Sequence, residues 1–421
     1  MNGSRKIFSP RRGFVLAVLL AASRLSAQEI VTTFAGAATT NGFTNGPALG
    51  ARFNDPAGLA VDSSGNLFIA DSQNHVIRKL STNGTVTTFA GSTMGAPFDS
   101  PSGIAVDAGG NLFVSDTGNQ VIRKIAPGGA ITILAGSVGE AGSTNGVGAA
   151  ARFNSPLGLA VDSSGNLFVA DSGNHVIRKI TADATVSTFA GEPEVWGDSD
   201  GIGSAAHFNS PVGITLAGGG GLFVTDANNH TIRRISADGV VTTFAGVAGE
   251  DGCVDGAGQA ARFCKPAGIA CDGVRYLYVC DSFSHTLRRI TLATRQVITL
   301  AGRTGDEGST DGTNGVARFF NPYDVAWWNG GLIVTDAFNQ TLRLVFLPID
   351  CALNLDGSGA NLSWNSVSGK KYRVQSKNSL NEPGWTDRGA LIEAEPAGRS
   401  HFADLDTNPA GRRFYRVVLA E

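Results

Sequence analysis

Short apolar runs of five or six residues, separated by polar turns, fill most of this chain. Residues 156–191 hold four of them. The runs 157–162 and 167–171 are joined by Ser163-Ser164-Gly165-Asn166. That is a turn, since Gly and Asn tolerate the left-handed conformation tight turns need. Ser172-Gly173-Asn174-His175 turns the chain again into 176–180, and 186–191 is the fourth run. Each run has strand length, is rich in β-branched and aromatic residues, and is bounded by turn formers. No window sustains a 3.6-residue period, so no helix of consequence is expected beyond the N-terminal segment.

This four-run unit comes round six times. An Asp closes the second run of each copy: Asp71, Asp116, Asp171, Asp226, Asp281 and Asp336, spaced 45 residues and then 55 residues four times. A fixed period in this range signals a repeat architecture. Four short antiparallel strands in each of six units predict an all-β fold, a six-bladed β-propeller. The fourth run follows units one to five, at 86–91, 131–136, 186–191, 241–246 and 297–302. Unit six lacks it, and the missing copy is Val31-Thr32-Thr33-Phe34-Ala35-Gly36 at the other end. An N-terminal strand completing the last blade closes the ring and leaves no unpaired seam.

The recurring motifs are Pro-x-Gly-Leu/Ile-Ala-Val-Asp, Asn-Leu-Phe-Val-Ala-Asp-Ser-x-Asn-His-x-Ile-Arg and a preceding Ala-Arg-Phe-Asn. In that order, over roughly residues 30–348, they resemble the NHL repeat family of β-propellers. The resemblance implies the fold far more strongly than a function. The family includes protein-binding, RNA-binding and extracellular sensor domains, and a few metal-dependent lyases.

The ends divide the chain further. Arg5, Lys6, Arg11 and Arg12 precede a nine-residue apolar core, 14–22, too short to span a bilayer, and Leu25-Ser26-Ala27 offers a small-residue cleavage site. Residues 1–27 therefore read as a secretory signal and place the mature chain in the periplasm or outside the cell. Arg11-Arg12 also fits the route that exports folded proteins. No later stretch is apolar enough to cross a membrane. Residues 28–348 form the propeller and 349–421 a C-terminal module. The latter's alternating segments, such as 360–364, 372–376 and 414–419, predict a small antiparallel β-sandwich, loosely similar to fibronectin-type-III-like modules, with Trp364, Tyr372, Trp385 and Tyr415 in its core.

Charge narrows the partner. Without residues 1–27 the chain carries 28 Lys+Arg against 36 Asp+Glu, a net charge of −8. That argues against nucleic acid, which needs a basic face. Four of the five cysteines, Cys253, Cys264, Cys271 and Cys280, fall in repeat five. In an oxidising compartment the favoured pairing is 271–280 with 253–264, leaving Cys351 alone.

Residues present in every copy build the repeat. The six Asp residues and Arg78, Arg123, Arg178, Arg233, Arg288 and Arg343 are expected to brace one another. His75, His175, His230 and His285 share one position with Gln120 and Gln340, and a turn or cap role is expected. They begin the third strand, roughly 10 Å further from the axis than the first. One ion needs all its ligands about 2 Å away. The loops leading into the blades are acidic near Asp198, Asp200, Asp251, Asp255, Asp306 and Asp311, and calcium takes such oxygen-rich loops.

Function is expected where the repeat breaks. Phe283 and Phe338 hold a turn position that is Gln73, Gly118, Gly173 and Asn228 elsewhere. Tyr323-Asp324 replaces the step into Gly58 or Gly158, Phe320 replaces Asn54, and the loop into repeat four adds Trp196. Exposed aromatics beside an acidic group suit a protein or glycan. The expected function is an exported, non-catalytic binding or scaffold protein presenting this loop-rich face. The alternative implied by the resemblance is a metal-dependent lyase or hydrolase in the central channel, with Asp324 at its mouth. No nucleophile elbow or His-Glu-x-x-His motif is present. Neither the number of chains in the assembly nor any organic cofactor is legible.

Overall fold

The computed structural model describes residues 29–91, 97–328 and 331–347, and beyond them the six strands of the C-terminal unit. Residues 1–28, where the sequence predicts a secretory signal, and Trp385 lie outside the described residues, as do the side chains of Cys351 and Tyr415.

Residues 28–347 form one unit, an all-β ring of six blades. Blade three is typical. Pro156–Val161 is innermost, followed outward by Leu167–Asp171, Val176–Ile180 and Thr185–Ala190, all antiparallel. A two-residue fifth strand, Gly146–Val147, comes from the loop leading into the blade and lies along the outer edge. Blade six is completed by Ile30–Gly36, which pairs with Thr341–Phe346 in register Ile30 to Phe346, so the N-terminal strand closes the ring. Among the described residues the helical elements are three-residue 3-10 turns.

The hydrophobic core is split between neighbouring blades. Phe168, Ala170 and Ile177 of blade three, for example, pack on Phe208, Ile214 and Val224 of blade four. The expected disulfides are absent: Cys253, Cys264, Cys271 and Cys280 are free. Cys271 faces Leu277 at the turn end of its hairpin, whereas Cys280 adjoins Asp281, which faces Pro266 at the other end. The two thiols lie on opposite faces of blade five, Cys280 toward blade six and Cys271 toward blade four. Cys253 Sγ sits by Thr286 Oγ1 and Cys264 Sγ by Asp251.

The C-terminal unit contains two three-stranded antiparallel sheets. Leu362 and Trp364 of one sheet are buried against Tyr372 and Val374 of the other, with the Trp364 and Tyr372 rings 5.9 Å apart.

Candidate functional site

Two devices repeat around the ring and fix the loop face. The first is the Asp–Arg brace. Asp226 Oδ1 accepts the Asn209 N–H at 2.7 Å, and Oδ2 accepts from Asn229 at 2.7 Å and Arg233 at 2.8 Å. Arg233 also donates to the His207 and Ser199 carbonyls and to Asp200, and its guanidinium lies over the Phe208 ring. Both side chains are fully buried. Burial pushes the carboxyls of Asp171, Asp226, Asp281 and Asp336 up to about 6 against the guanidinium and two further donors, so they are ionised at neutral pH.

These braces employ the acidic loops expected to hold calcium. Asp200, Asp255 and Asp311 each accept from the third-strand arginine of their blade at 2.8–2.9 Å. Asn45 and Asn145 do the same in blades one and three without a charge. Asp306 pairs with Arg318, and Asp251 lies beside Cys264. A cation at the first three positions would have to displace a guanidinium.

The second device is a latch between blades. His75 Nδ1 accepts the Ser100 N–H at 3.1 Å, His175 that of Ser210, His230 that of Lys265 and His285 that of Asn321. Gln120 and Gln340 use Oε1 to accept the N–H groups of Ser155 and Asp55 at 2.6 Å. All six latch residues are in the left-handed conformation, with φ from +55° to +61°, and all but Gln120, which closes an ordinary turn, cap a 3-10 turn. This is the cap role expected of the histidines, and it commits one ring nitrogen of each to the main chain.

The channel is lined by the innermost strands and encloses a cavity of about 360 Å³. At its loop-face end five glycines let the inner strands close together. A Cβ on Gly58 would lie 2.2 Å from the Ser102 carbonyl, and one on Gly268 2.4 Å from Asp324 Cα. Asp324 is the sixth member. Its carboxylate accepts the N–H groups of Leu59 and Val325, both at 2.8 Å, joining blade six to blade one. Burial pushes its carboxyl up to about 7. Tyr323 lies across the mouth, its hydroxyl 2.9 Å from Ser102 Oγ in blade two, and burial pushes that hydroxyl up to about 12. Tyr323 and Asp324 together form a partial plug that narrows this end of the channel. Among the described residues no group of three or more His, Cys, Asp or Glu is placed to hold a metal ion.

Above the plug is a second cavity, about 210 Å³, opening between blades three, four, five and six. Tyr323 is part of both cavities. Phe283, 58% exposed, forms one wall of the upper one, with Lys265 Nζ 4.9 Å from its ring centre. Ser210, Asn228 and Asn321 supply polar groups and Val212 and Pro266 apolar ones. Phe320 extends the aromatic surface on blade six, edge-on to His285 at 5.7 Å and to the half-exposed Phe338 at 5.1 Å.

The expected site residues therefore divide. Phe283 and Tyr323 share one pocket, and Phe320 and Phe338 form a pair on the adjoining blade. Asp324 is turned into the ring. Trp196, 69% exposed, is bridged to Phe208 in the loop into blade four and does not line the mouth. Trp327 and Trp328 separate, Trp327 packing at a tilt against Tyr278 and Trp328 against Phe34. Lys265 was missed. The column Asp55, Ser100, Ser155, Ser210, Lys265, Asn321 varies in charge at a fixed left-handed position, and that variation was the available signal.

A sequence profile described as the NHL repeat matches residues 53–80, 98–125, 153–180 and 208–235. The chain is 28% identical over 276 residues to NHL repeat-containing protein 2 of Homo sapiens, covering 58% of this chain and 37% of the relative. It is 29% identical over 316 residues to the protein of that name from Bos taurus, covering 66% and 43%. The chain thus spans less than half the length of these relatives. Among solved structures, an auxiliary nutrient binding protein from Bacteroides thetaiotaomicron shares the fold with a TM-score of 0.60 at 16% identity, covering 76% of this chain and 77% of the other.

Proposed function

We propose that this six-bladed propeller of NHL repeats is an exported binding protein that holds a protein or glycan on its loop-rich face, centred on the pocket above Tyr323. The observation that carries this reading is the convergence of departures from the repeat. Four of six blades build the same turn with Gln73, Gly118, Gly173 and Asn228, so folding does not require Phe283 and Phe338 there. Large exposed apolar side chains gathered around a pocket with a few polar groups mark a binding surface. Lys265, the one basic residue of its column, stands beside Phe283.

Export rests on residues 1–27, and the net charge of −8 that remains disfavours nucleic acid. The nutrient-binding proteins that share this fold lend the binding role an analogy, though likeness at 16% identity carries the fold alone.

The test is one array of immobilised oligosaccharides and peptides, probed with the mature chain and with a Phe283→Ala/Phe338→Ala variant of matched melting temperature. The expected result is a ligand class whose signal falls at least tenfold in the variant. Equal signals from both proteins would remove this site. Stoichiometric zinc or iron in the mature protein would move the function to the channel.

A further inference from the structure

Five of the six blades carry a fifth strand at the outer edge. Gly46–Pro47, Gly146–Val147, Gly201–Ile202, Gly256–Ala257 and Gly312–Thr313 each run antiparallel to the start of a fourth strand. Among the described residues blade two has four strands, and none pairs with the outer edge of Ile131–Ala135. The segment leading into blade two is ten residues shorter than its counterparts. Gly91 and Phe98 are seven positions apart, whereas Gly36 and Phe53, and the matching pairs before blades three to six, are seventeen apart.

The ladder fixes what this edge offers. Ala126 N–H donates to the Ala130 carbonyl at 2.9 Å, so these two form a hydrogen-bonded pair. The next pair, Ile125 and Ile131, is non-bonded, and the N–H and C=O of Ile131 point away from the sheet, as do those of Ile133. Val86, the counterpart of Ile131 in blade one, faces Gly46 of the fifth strand.

Side chains change where the cover is missing. Val31, Val86, Val186, Val241 and Val297 are at most 2% exposed, whereas Ile131 is half-buried. Thr33, Thr88, Thr188, Thr243 and Thr299 hydrogen-bond the Asp or Asn preceding their fifth strand. Blade two has Ile133 there, 45% exposed. Natural sheet edges are usually defended by charge, proline or a covering segment. This one presents two β-branched apolar residues beside free main-chain groups.

We propose that the outer edge of blade two docks an extended peptide segment of a partner, which adds as an antiparallel fifth strand. The molecule shows five times what covers such an edge. It is an Asn-Gly or Asp-Gly step followed by a small or β-branched residue (Pro47 in blade one), with the Asn or Asp bonded to the third-strand arginine. The partner segment has that chemistry, and its Asn or Asp completes the brace of Arg123.

The probe is a fluorescent synthetic peptide copying residues 141–152, titrated into the full mature chain and followed by anisotropy. The expected result is saturable binding that weakens at least tenfold in Ile131→Pro. That change removes the outward N–H and leaves the ladder to the third strand intact. A peptide carrying Asn145→Ala and Gly146→Pro is expected to lose binding equally, and Phe283→Ala in the protein to leave it unchanged. Should Ile131→Pro fail to fold, Ile133→Lys replaces it. No binding at millimolar peptide, or binding indifferent to the edge-strand and peptide changes, overturns the proposal. Dimerisation of the chain abolished by Ile131→Pro would also overturn it, by making a second copy the occupant.

Discussion

The Tyr323 hydroxyl lies 2.9 Å from Ser102 Oγ, tying blade six to blade two across the mouth of the channel. Removing it with Tyr323→Phe leaves the buried Ser102 without this partner. The expected cost is about 1 kcal/mol, read as a lower denaturation midpoint at unchanged slope. Tyr323→Ala with Asp324→Gly recreates the Ala57-Gly58 and Ala267-Gly268 steps of blades one and five. That pair is expected to fold, since the ring accepts this step twice already. Failure to fold would show that the plug is needed for closure.

Asp324 gives a distinct pH signature. Its folded value, about 7, lies above the ordinary 3.8. Its contribution to stability is therefore present below pH 3.8 and is lost as pH rises toward 7. The loss from this group is on the order of 2–4 kcal/mol. The measurement is the difference in stability between wild type and Asp324→Asn across pH 4–8, where the variant lacks this decline whatever its absolute stability.

The latches respond in the opposite sense. Burial lowers the values of His175, His230 and His285. Each neutral imidazole accepts a main-chain N–H, so the latch is complete above pH 6.5 and is lost as pH falls through the lowered values. Gln120 and Gln340 make the same bond without titrating. Replacing the three histidines by Gln is expected to leave the melting temperature unchanged at pH 7.5 and raise it above wild type at pH 5. An equal acid-side loss in both proteins would contradict the latch.

The braces are buried ion pairs, and removing one partner strands the other. Arg233→Ala is expected to cost about 3–5 kcal/mol, because the buried Asp226 carboxyl is left without its counter-ion. Thr243→Ala, at the exposed end of the same network, is expected to cost about 1 kcal/mol or less. Comparable losses in denaturant midpoints would contradict this ranking.

Asp200, Asp255 and Asp311 are already paired with arginines. Chelation with EDTA is therefore expected to shift the melting temperature by less than about 2 °C, under ~1 kcal/mol for a chain of this size. A larger drop reversed by calcium would return those loops to a metal role.

The fold was legible because its signal repeats. The Asp at 71, 116, 171, 226, 281 and 336 and the displaced strand at 31–36 determine blade number and closure without any distance information. The Asp–Arg brace was legible for the same reason. The disulfides were misread because repeat position gives neither register nor face: Cys271 and Cys280 lie toward opposite ends of their hairpin and on opposite faces of one blade. The site was legible only as a list of broken columns. That Tyr323 crosses the ring to Ser102, that Asp324 turns inward and that Trp196 stands apart are matters of direction, which a periodic pattern does not encode.

The central claim concerns where a partner sits, and a crystal structure of the propeller soaked with the strongest ligand from the array tests it most directly. The account places ligand density against Phe283 and Lys265, above an unmoved Tyr323. Density inside the channel beneath Tyr323, or on the face opposite the leading loops, would contradict it.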